Sequence, residues 1–127
     1  MKKMIQVVIL LMLVLVGYTG QVAAQTPYRK LTQKEAKMRM DQNDYDIILD
    51  VRSVAAYCKG HMKNAISLPA NELDRQAQSV LKDKNAVIFV YCTSGKISKS
   101  ICEKLIRKGY TNVYDLGGIV DWPYKSL

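Results

Sequence analysis

The 127-residue sequence is poor in the residue types that build metal sites, with three cysteines and one histidine. Cys58, Cys92 and Cys102 show no C-x-x-C spacing and no histidine partners, so they do not predict a zinc site. The sequence also lacks internal repeats and low-complexity tracts. Its length is that of one ordinary globular domain.

Carboxylates are scarce: 11 Asp and Glu stand against 19 Lys and Arg, which leaves a formal net charge of +8. No acidic residue precedes Glu35. The basic residues are scattered and are not interleaved with aromatic residues, so they predict a solvated basic surface and no nucleic-acid site. A positive field of this kind attracts small anions.

The N-terminal segment has the pattern of a secretory signal peptide. Met1-Lys2-Lys3 is positively charged, residues 5–16 are apolar except for one glutamine, and Val22 and Ala24 are small residues before a cleavage point. We expect a signal peptide over 1–24 and a single domain over 25–127, working in the periplasm or as a secreted protein, with no membrane contact after cleavage. The alternative is an uncleaved segment that tethers the chain to a membrane.

A short apolar run that ends on Cys92 predicts a buried strand over 87–92. A polar loop containing Gly95 follows, and then an amphipathic helix for which Gly109 is a natural stop. Cys92 therefore lies where a strand meets a helix N-terminus. Unpaired N–H groups and the helix dipole favour an anion there, so we expect a thiolate nucleophile.

The other segments alternate between strand and helix patterns. Thr32 and Glu35 form a capping box at the start of a helix. The alternation predicts a parallel sheet covered on both faces, with function at the carboxyl ends of its strands, where Cys92 and Asp50 lie. The predicted strands are 28–30, 45–51, 65–68, 87–92 and 113–116, the predicted helices are 33–42, 54–58, 71–81 and 119–124, and Gly117-Gly118 is a predicted turn.

The two other cysteines have different expected roles. Cys102 lies on the apolar face of its helix and is expected to be a buried packing residue. For Cys58 three alternatives stay open: a free thiol, a disulfide partner of Cys102, or a resolving thiol for Cys92.

Five motifs, in order along residues 28–124, resemble the rhodanese (sulfurtransferase) domain family, in its single-domain secreted form. The resemblance implies a three-layer α/β/α fold with a mainly parallel five-stranded sheet. The motifs are Leu49-Asp50-Val51-Arg52 with Tyr57, Gly60-His61-Met62, Ala65-Ile66-Ser67-Leu68-Pro69, Tyr91-Cys92-Thr93-Ser94-Gly95 with Ser98, and Gly109-Tyr110-Thr111-Asn112-Val113 with Leu116-Gly117-Gly118 and Trp122.

The resemblance implies transfer of sulfane sulfur in two steps. The Cys92 thiolate would take the outer sulfur of a small anionic donor such as thiosulfate and hold it as a persulfide. It would then pass the sulfur to cyanide or a thiol, for which a thioredoxin-like protein is one candidate. No cofactor and no metal is implied.

The loop after Cys92 is expected to bind the substrate. Backbone N–H groups from Thr93 to Ser98 can converge on one sulfur atom because Gly95 permits a tight turn. The hydroxyls of Thr93 and Ser94 are expected to add hydrogen bonds. Ser98 itself is a typical helix cap.

Two further loop residues set the expected donor preference. Lys96 is the only cationic side chain in the loop and is expected to attract the charged end of thiosulfate. Ile97 stands where family loops often carry arginine or threonine. An apolar residue there should weaken recognition of a small dianion and favour a thiol or protein-bound donor.

Residues outside the loop have supporting roles in this interpretation. Asp50 and Arg52 are expected to form a structural pair that orders the loop. By its family position, His61 is expected to stabilise a turn. Tyr57 and Trp122 are expected to pack in or near the core.

The sequence leaves three alternative functions to compare with sulfur transfer. A phosphatase or arsenate reductase of this fold needs a Cys-x5-Arg loop, and Ser98 stands at the arginine position. An extracytoplasmic persulfide-carrying or thiol-redox module with little thiosulfate activity is favoured by Cys58 and by the weak oxyanion loop. An inactive interaction domain is disfavoured because the cysteine is present.

Overall fold

The computed structural model describes residues 28–124, so the predicted signal peptide lies outside the described residues. Strands and helices alternate along this part of the chain, as the sequence predicts. The strands are β1 (Arg29–Lys30), β2 (Ile47–Asp50), β3 (Ala65–Ser67), β4 (Val87–Cys92) and β5 (Asn112–Gly118), the helices are α1 (Gln33–Gln42), α2 (Val54–Lys59), α3 (Leu73–Val80) and α4 (Lys96–Arg107), and single 3₁₀ turns occupy Ala70–Glu72 and Ile119–Asp121.

The five strands form one sheet in the order β1-β5-β4-β2-β3. Every pair of neighbours is parallel, so the sheet is wholly parallel rather than mainly parallel. Parallel strands need long crossover connections, and the helices in those connections cover both faces. The expected three-layer α/β/α fold is therefore confirmed.

Successive side chains of β4 point to opposite faces of the sheet, so they are divided between two hydrophobic cores. Ile88, Val90 and Cys92 lie in the core that α3 and α4 cover. Phe89 and Tyr91 lie in the second core, on the side of α1. Because side chains alternate across a strand, Cys92 faces α4 while its neighbour Tyr91 faces away from it.

The capping box that the sequence predicts at the start of α1 is confirmed. The Thr32 hydroxyl accepts from the Glu35 backbone N–H, and the Glu35 carboxylate accepts from the Thr32 N–H. This is the capping box that the sequence predicts, and Asn43 follows the last helical residue. Within residues 28–124, no helix is both long and apolar enough to span a membrane.

The predicted turn at Gly117-Gly118 is wrong, because both glycines belong to β5. The register between β4 and β5 shifts after Val90, so that Gly117 pairs with Tyr91 and Gly118 with Cys92. The extra residue is a β-bulge, and Gly117 takes a positive φ of 80° beside it. A glycine pair is typical of a turn, but here it carries the strand alongside the cysteine.

Candidate active site

Cys92 is the last residue of β4 and is only 2% exposed. Gly95 ends the loop that follows and precedes the first residue of α4, with φ 94° and ψ −9°. This left-handed conformation is accessible to glycine at little cost. It turns the chain sharply enough for the helix N-terminus to approach the sulfur atom of the strand that precedes it.

Two backbone N–H groups donate to the Sγ atom of Cys92. The Gly95 nitrogen lies 3.0 Å from Sγ and the Ser98 nitrogen lies 3.3 Å from it. Both belong to the start of α4, where N–H groups have no partner within the helix. The two donors and the helix dipole favour negative charge on sulfur.

The expected helix-cap role of Ser98 is wrong. α4 begins at Lys96 with Gly95 as its N-cap, so Ser98 lies inside the first turn. The Ser98 hydroxyl lies 3.0 Å from the Gly95 carbonyl oxygen and 2.7 Å from a carboxylate oxygen of Asp115 on β5. The contribution of Ser98 to the sulfur is therefore its backbone N–H, while its side chain is bonded elsewhere.

Asp115 links β5 to the cysteine loop from the inside of the protein. Its carboxylate is buried and accepts from the Ser98 hydroxyl and from the Gly117 N–H at 2.8 Å. A buried carboxylate is costly unless it is hydrogen-bonded, so these two donors are needed. The same carboxylate thus holds both the start of α4 and the bulge that faces Cys92.

A cavity of about 200 Å³ opens beside Cys92. Thr93 and Ser94 line it, as expected, and so does Ile97, which is 50% exposed. Lys96 is exposed and is not among the lining residues. The lining consists of Val51, Arg52, Ser53, Ala56, Cys92, Thr93, Ser94 and Ile97.

The expected pair of Asp50 and Arg52 is present and closely bonded. Nε and Nη2 of Arg52 donate to the fully buried Asp50 carboxylate, the shortest contact being 2.7 Å. Nη2 also donates to the Gly60 carbonyl oxygen, which ties the end of β2 to the end of α2. The hydrogen bond that Arg52 donates to Asp50 is the main reason that the pKa of Arg52 is raised.

Tyr91 connects this pair to β4. Its hydroxyl donates to Asp50 at 2.7 Å and accepts from the Met62 N–H at 3.1 Å. Burial, and next the hydrogen bond to Asp50, raise the pKa of Tyr91 well above its usual value, so the phenol stays protonated as a donor. Cys92 is therefore flanked by a residue that is rigidly bonded on the opposite face of the sheet.

Arg52 is the one cation in the lining of the cavity. Among the described residues, its Nη1 atom has no hydrogen-bond partner. The guanidinium still has solvent access at this atom, since Nη1 is not a buried unpartnered group. Arg52 thus combines a structural bond to Asp50 with a place in the lining of the cavity.

The two other cysteines and the histidine are not among the residues that line the cavity or donate to Sγ of Cys92. Cys102 is fully buried, as expected for a packing residue, and burial raises the pKa of its thiol. Cys58 is exposed and unpaired, which favours the free-thiol alternative. His61 stacks on Tyr57 and its Nδ1 lies 3.0 Å from the Tyr57 carbonyl oxygen, so it stabilises the turn after α2 as expected.

Residues 32–124 match the model of the rhodanese-like domain family. The chain belongs to the rhodanese family. Rhodanese relatives include the thiosulfate sulfurtransferase PspE of Escherichia coli, 36% identical over 73 residues that span 58% of this chain and 70% of that protein. The thiosulfate sulfurtransferase GlpE of Coxiella burnetii is 31% identical over 96 residues, 75% of this chain and 87% of that protein.

The fold comparison agrees with the sequence comparison. A rhodanese-related protein from Thermoplasma volcanium superposes with a TM-score of 0.67 at 26% identity. The match covers 79% of this chain and 98% of that structure. Together these relatives support sulfur transfer as the general activity of this rhodanese.

Two residues that shape the site were missed by the sequence analysis. The sequence pattern predicts only a strand position for Asp115, although a carboxylate at an inward position of a strand indicates a buried polar contact. Gly118 was assigned to a turn. A Cβ atom built on Gly118 would lie 2.6 Å from the Thr93 carbonyl oxygen and 2.7 Å from Ser94 backbone atoms, so a side chain here would displace the cysteine loop.

Proposed function

We propose that this rhodanese is a sulfurtransferase that moves sulfane sulfur from a donor such as thiosulfate to a thiol or cyanide through a persulfide on Cys92. The observation that carries the proposal is the pair of N–H groups, from Gly95 and Ser98, that donate to Sγ beside an open cavity. Donors of this kind stabilise negative charge on a nucleophile that is otherwise shielded from water.

In the first step, the Cys92 thiolate attacks the outer sulfur of thiosulfate. A new S–S bond forms at Sγ, the S–S bond of thiosulfate breaks, and sulfite leaves with its electron pair. The persulfide keeps one negative charge, spread over two sulfur atoms. The N–H groups of Gly95 and Ser98, which donate to Sγ, stabilise this negative charge.

In the second step, cyanide or an acceptor thiolate attacks the outer sulfur of the persulfide. The S–S bond to Sγ breaks and its electron pair returns to Cys92 as the thiolate. The product is thiocyanate or an acceptor persulfide, and no external oxidant or reductant is needed. The same two N–H groups serve both steps because the charge stays at the same loop.

Recognition of the donor is assigned to Arg52 at the cavity wall and to Lys96 as a more distant cation. Arg52 is a lining residue of the cavity, whereas Lys96 attracts anions from the exposed first turn of α4. Thr93 and Ser94 line the same cavity and can donate through their hydroxyls. Asp50 supports Arg52 and takes no part in the chemistry.

The test is the intact mass of the protein before and after incubation with thiosulfate, followed by reductant. Wild type should gain the mass of one sulfur atom and lose it on reduction. Cys92→Ser should gain nothing. Cys58→Ser is the matched control, since it removes an exposed thiol and should still gain one sulfur. A persulfide that forms on Cys92→Ser would contradict the proposal.

Ile97 favours a second candidate function, a persulfide carrier that takes its sulfur from another persulfide and reacts poorly with thiosulfate. Its half-exposed apolar side chain lines the cavity at the place where a polar group would hold a small dianion. Parallel loading with thiosulfate and with polysulfide separates the two functions. Sulfur uptake from polysulfide alone would establish the carrier.

The phosphatase alternative has its own test. At the arginine position of a Cys-x5-Arg loop stands Ser98, whose hydroxyl bonds to a buried carboxylate. The loop therefore lacks the guanidinium that would hold a phosphate oxyanion through two hydrogen bonds. We expect hydrolysis of p-nitrophenyl phosphate to stay at background with wild type and with Cys92→Ser alike.

We also propose that the chain works outside the cytoplasm, on the pattern of residues 1–24. Expression of the full chain followed by N-terminal sequencing tests this. A mature chain in the periplasmic or secreted fraction that begins at Gln25 supports the proposal. An intact N-terminus in the membrane fraction would favour the tethered alternative.

A further inference from the structure

Three exposed apolar side chains lie on the segments that follow the three central strands. Val54 follows β2 and is 58% exposed, Ile97 follows β4, and Val120 follows β5 and is 67% exposed. The carboxyl ends of parallel strands meet at one edge of the sheet, and Cys92 ends there too. We call these three residues the apolar rim.

One residue of the apolar rim lines the cavity, and the backbone of each of the other two is joined to a lining residue. Ile97 lines the cavity directly, and Val54 is next in the chain to Ser53, which also lines it. The Val120 N–H donates to the carbonyl oxygen of Thr93, another lining residue, at 3.3 Å. Single exposed apolar residues are common, but a set around one opening marks a contact surface.

The charges beside the apolar rim have one dominant sign. Residues 51–60 and 93–100 contain no carboxylate. Arg52 is paired with the buried Asp50, and among the described residues Lys59, Lys96 and Lys99 form no ion pair. Asp121 is the only carboxylate of residues 118–124. A partner with acidic groups is therefore attracted to this edge, and one with basic groups is repelled.

We propose that the apolar rim is the docking surface for an acidic protein that presents an acceptor thiol between apolar side chains. A small thiol or cyanide reaches the outer sulfur through the cavity but buries neither Val54 nor Val120. A protein acceptor buries both and gains binding free energy from the apolar area removed from water. The inference rests on the proposed function and concerns only the second transfer step.

The transfer at this surface is the second step of the proposed reaction. The acceptor thiolate attacks the outer sulfur of the Cys92 persulfide, the bond to Sγ breaks, and Cys92 leaves as the thiolate. The acceptor becomes a persulfide, so no other reactant is consumed. The apolar rim takes no part in bond making and acts only by holding the acceptor at the cavity.

Two synthetic peptides are suitable probes. Each carries one cysteine between leucine and valine, and they differ only in having glutamates or lysines at both ends. Protein loaded with thiosulfate is mixed with each peptide or with cyanide, and kcat/KM is measured for each acceptor. We expect the acidic peptide to react about tenfold better than the basic one, since one tenfold step corresponds to a single favourable charge pair at low salt.

Val54→Glu and Val120→Glu test the apolar rim itself. Each should lower kcat/KM for the acidic peptide by about tenfold, the factor expected from burial of one valine side chain, while turnover with cyanide stays within about twofold. Val80→Glu is the matched control, because Val80 is exposed at the end of α3, which runs from the active edge of the sheet to the opposite edge.

The outcomes separate this inference from the proposed function. Equal losses with peptide and cyanide, or no loss with either variant, would overturn the docking surface. A failure of Cys92 to accept sulfur would instead overturn the proposed function. Binding of a serine version of the acidic peptide, followed by fluorescence anisotropy, needs no sulfur chemistry. It should weaken in Val54→Glu and Val120→Glu and stay unchanged in Val80→Glu.

Discussion

The hydroxyl of Ser98 donates to a carboxylate oxygen of Asp115 at 2.7 Å, and the backbone N–H of the same Ser98 donates to Sγ of Cys92. One residue is thus anchored to β5 by its side chain and bonded to the sulfur by its backbone. The first turn of α4 cannot move away from Cys92 without breaking a bond to a buried carboxylate. Asp115 is therefore a positioning residue for the sulfur site.

Ser98→Ala should lower stability and slow sulfur uptake together. Removal of the hydroxyl takes a charge-assisted hydrogen bond from a buried carboxylate, which costs about 2 kcal/mol in the free energy of unfolding. The freed Ser98 N–H is then held less firmly at Sγ, and we expect a loss of roughly tenfold in the rate of persulfide formation. Urea unfolding and timed mass measurements check the two effects.

Ser100→Ala is the control for this change. Ser100 is exposed on the same helix and donates to the Ile97 carbonyl oxygen in the same local pattern. Its loss should change stability by less than about 0.5 kcal/mol and leave the rate unaltered. Equal behaviour of the two variants would show that Asp115 does not position the loop.

Gly118→Ala should disturb the site through a steric contact. The new Cβ would lie within 2.7 Å of loop backbone atoms from Thr93 and Ser94, none of which is the end of a flexible side chain. The loop or β5 must shift, and we expect a loss of about 2 kcal/mol in stability and a loss of persulfide formation of at least about tenfold.

Gly109→Ala provides the contrast. It has a positive φ of 98° but nothing within 4 Å of an added Cβ atom. It should cost about 1 kcal/mol through backbone strain alone and leave persulfide formation intact. Activity measured at a temperature well below both unfolding transitions distinguishes steric displacement of the loop from simple loss of stability.

Tyr91→Phe should be strongly destabilising although it removes a single oxygen atom. The buried Met62 N–H loses its acceptor, and the buried Asp50 loses a donor. One unsatisfied N–H and one donor fewer on a buried carboxylate that Arg52 still bonds predict a loss of about 2–3 kcal/mol in the free energy of unfolding. Tyr45→Phe, at an almost fully exposed tyrosine, should change it by less than about 0.5 kcal/mol. A value for Tyr91→Phe near that of the control would contradict the bonded network.

Cys102 predicts a loss of stability in mild alkali. Burial raises the pKa of its thiol in the folded protein, while the unfolded chain ionises near ~8.5. The folded state therefore keeps a proton that the unfolded state releases. The stabilisation is complete below pH ~8.5 and declines as pH rises above it, by up to about 1.4 kcal/mol per pH unit.

Urea midpoints between pH 7 and 9.5 measure this slope. Cys102→Ala should be less stable at every pH and should lose the contribution of this thiol to the slope. Cys58→Ser, at the exposed thiol, should retain it. A thiol reagent gives an independent check, because Cys102 should react only after unfolding.

Much of the fold could be predicted because it depends on local signals. Alternating apolar strands and amphipathic helices predict a parallel sheet with two covered faces, and the capping box marks the start of α1 without reference to any distant residue. The position of Cys92 between a strand and a helix is equally local. Most predicted elements therefore agree with the structure to within a few residues. The exceptions are the predicted turn at Gly117-Gly118 and the predicted helix over 119–124, which is a single 3₁₀ turn at Ile119–Asp121.

The contacts between distant segments could not be predicted. Gly117-Gly118 has the same local appearance in a turn as in a bulged strand, and only its pairing with Tyr91 and Cys92 separates the two. Likewise, the partner of Ser98 lies 17 residues away on another strand. From the sequence, the Ser98 hydroxyl could act as a helix cap. In the structure it donates to Asp115, because a buried carboxylate without a donor costs more free energy than an uncapped helix end.

The amino-acid sequence alone determined the family of this protein, the layered fold and the cysteine on which sulfur chemistry is proposed. The family follows from the resemblance of its motifs. The layered fold and the place of Cys92 follow from periodicity and capping, which are properties of neighbouring residues. Tertiary structure alone decided that Arg52 rather than Lys96 lines the cavity and that Gly118 packs against the loop. The hydrogen bond between Asp115 and Ser98 at the start of α4 is likewise a feature of the tertiary structure. These depend on which segments the sheet brings together, and no local pattern encodes that proximity.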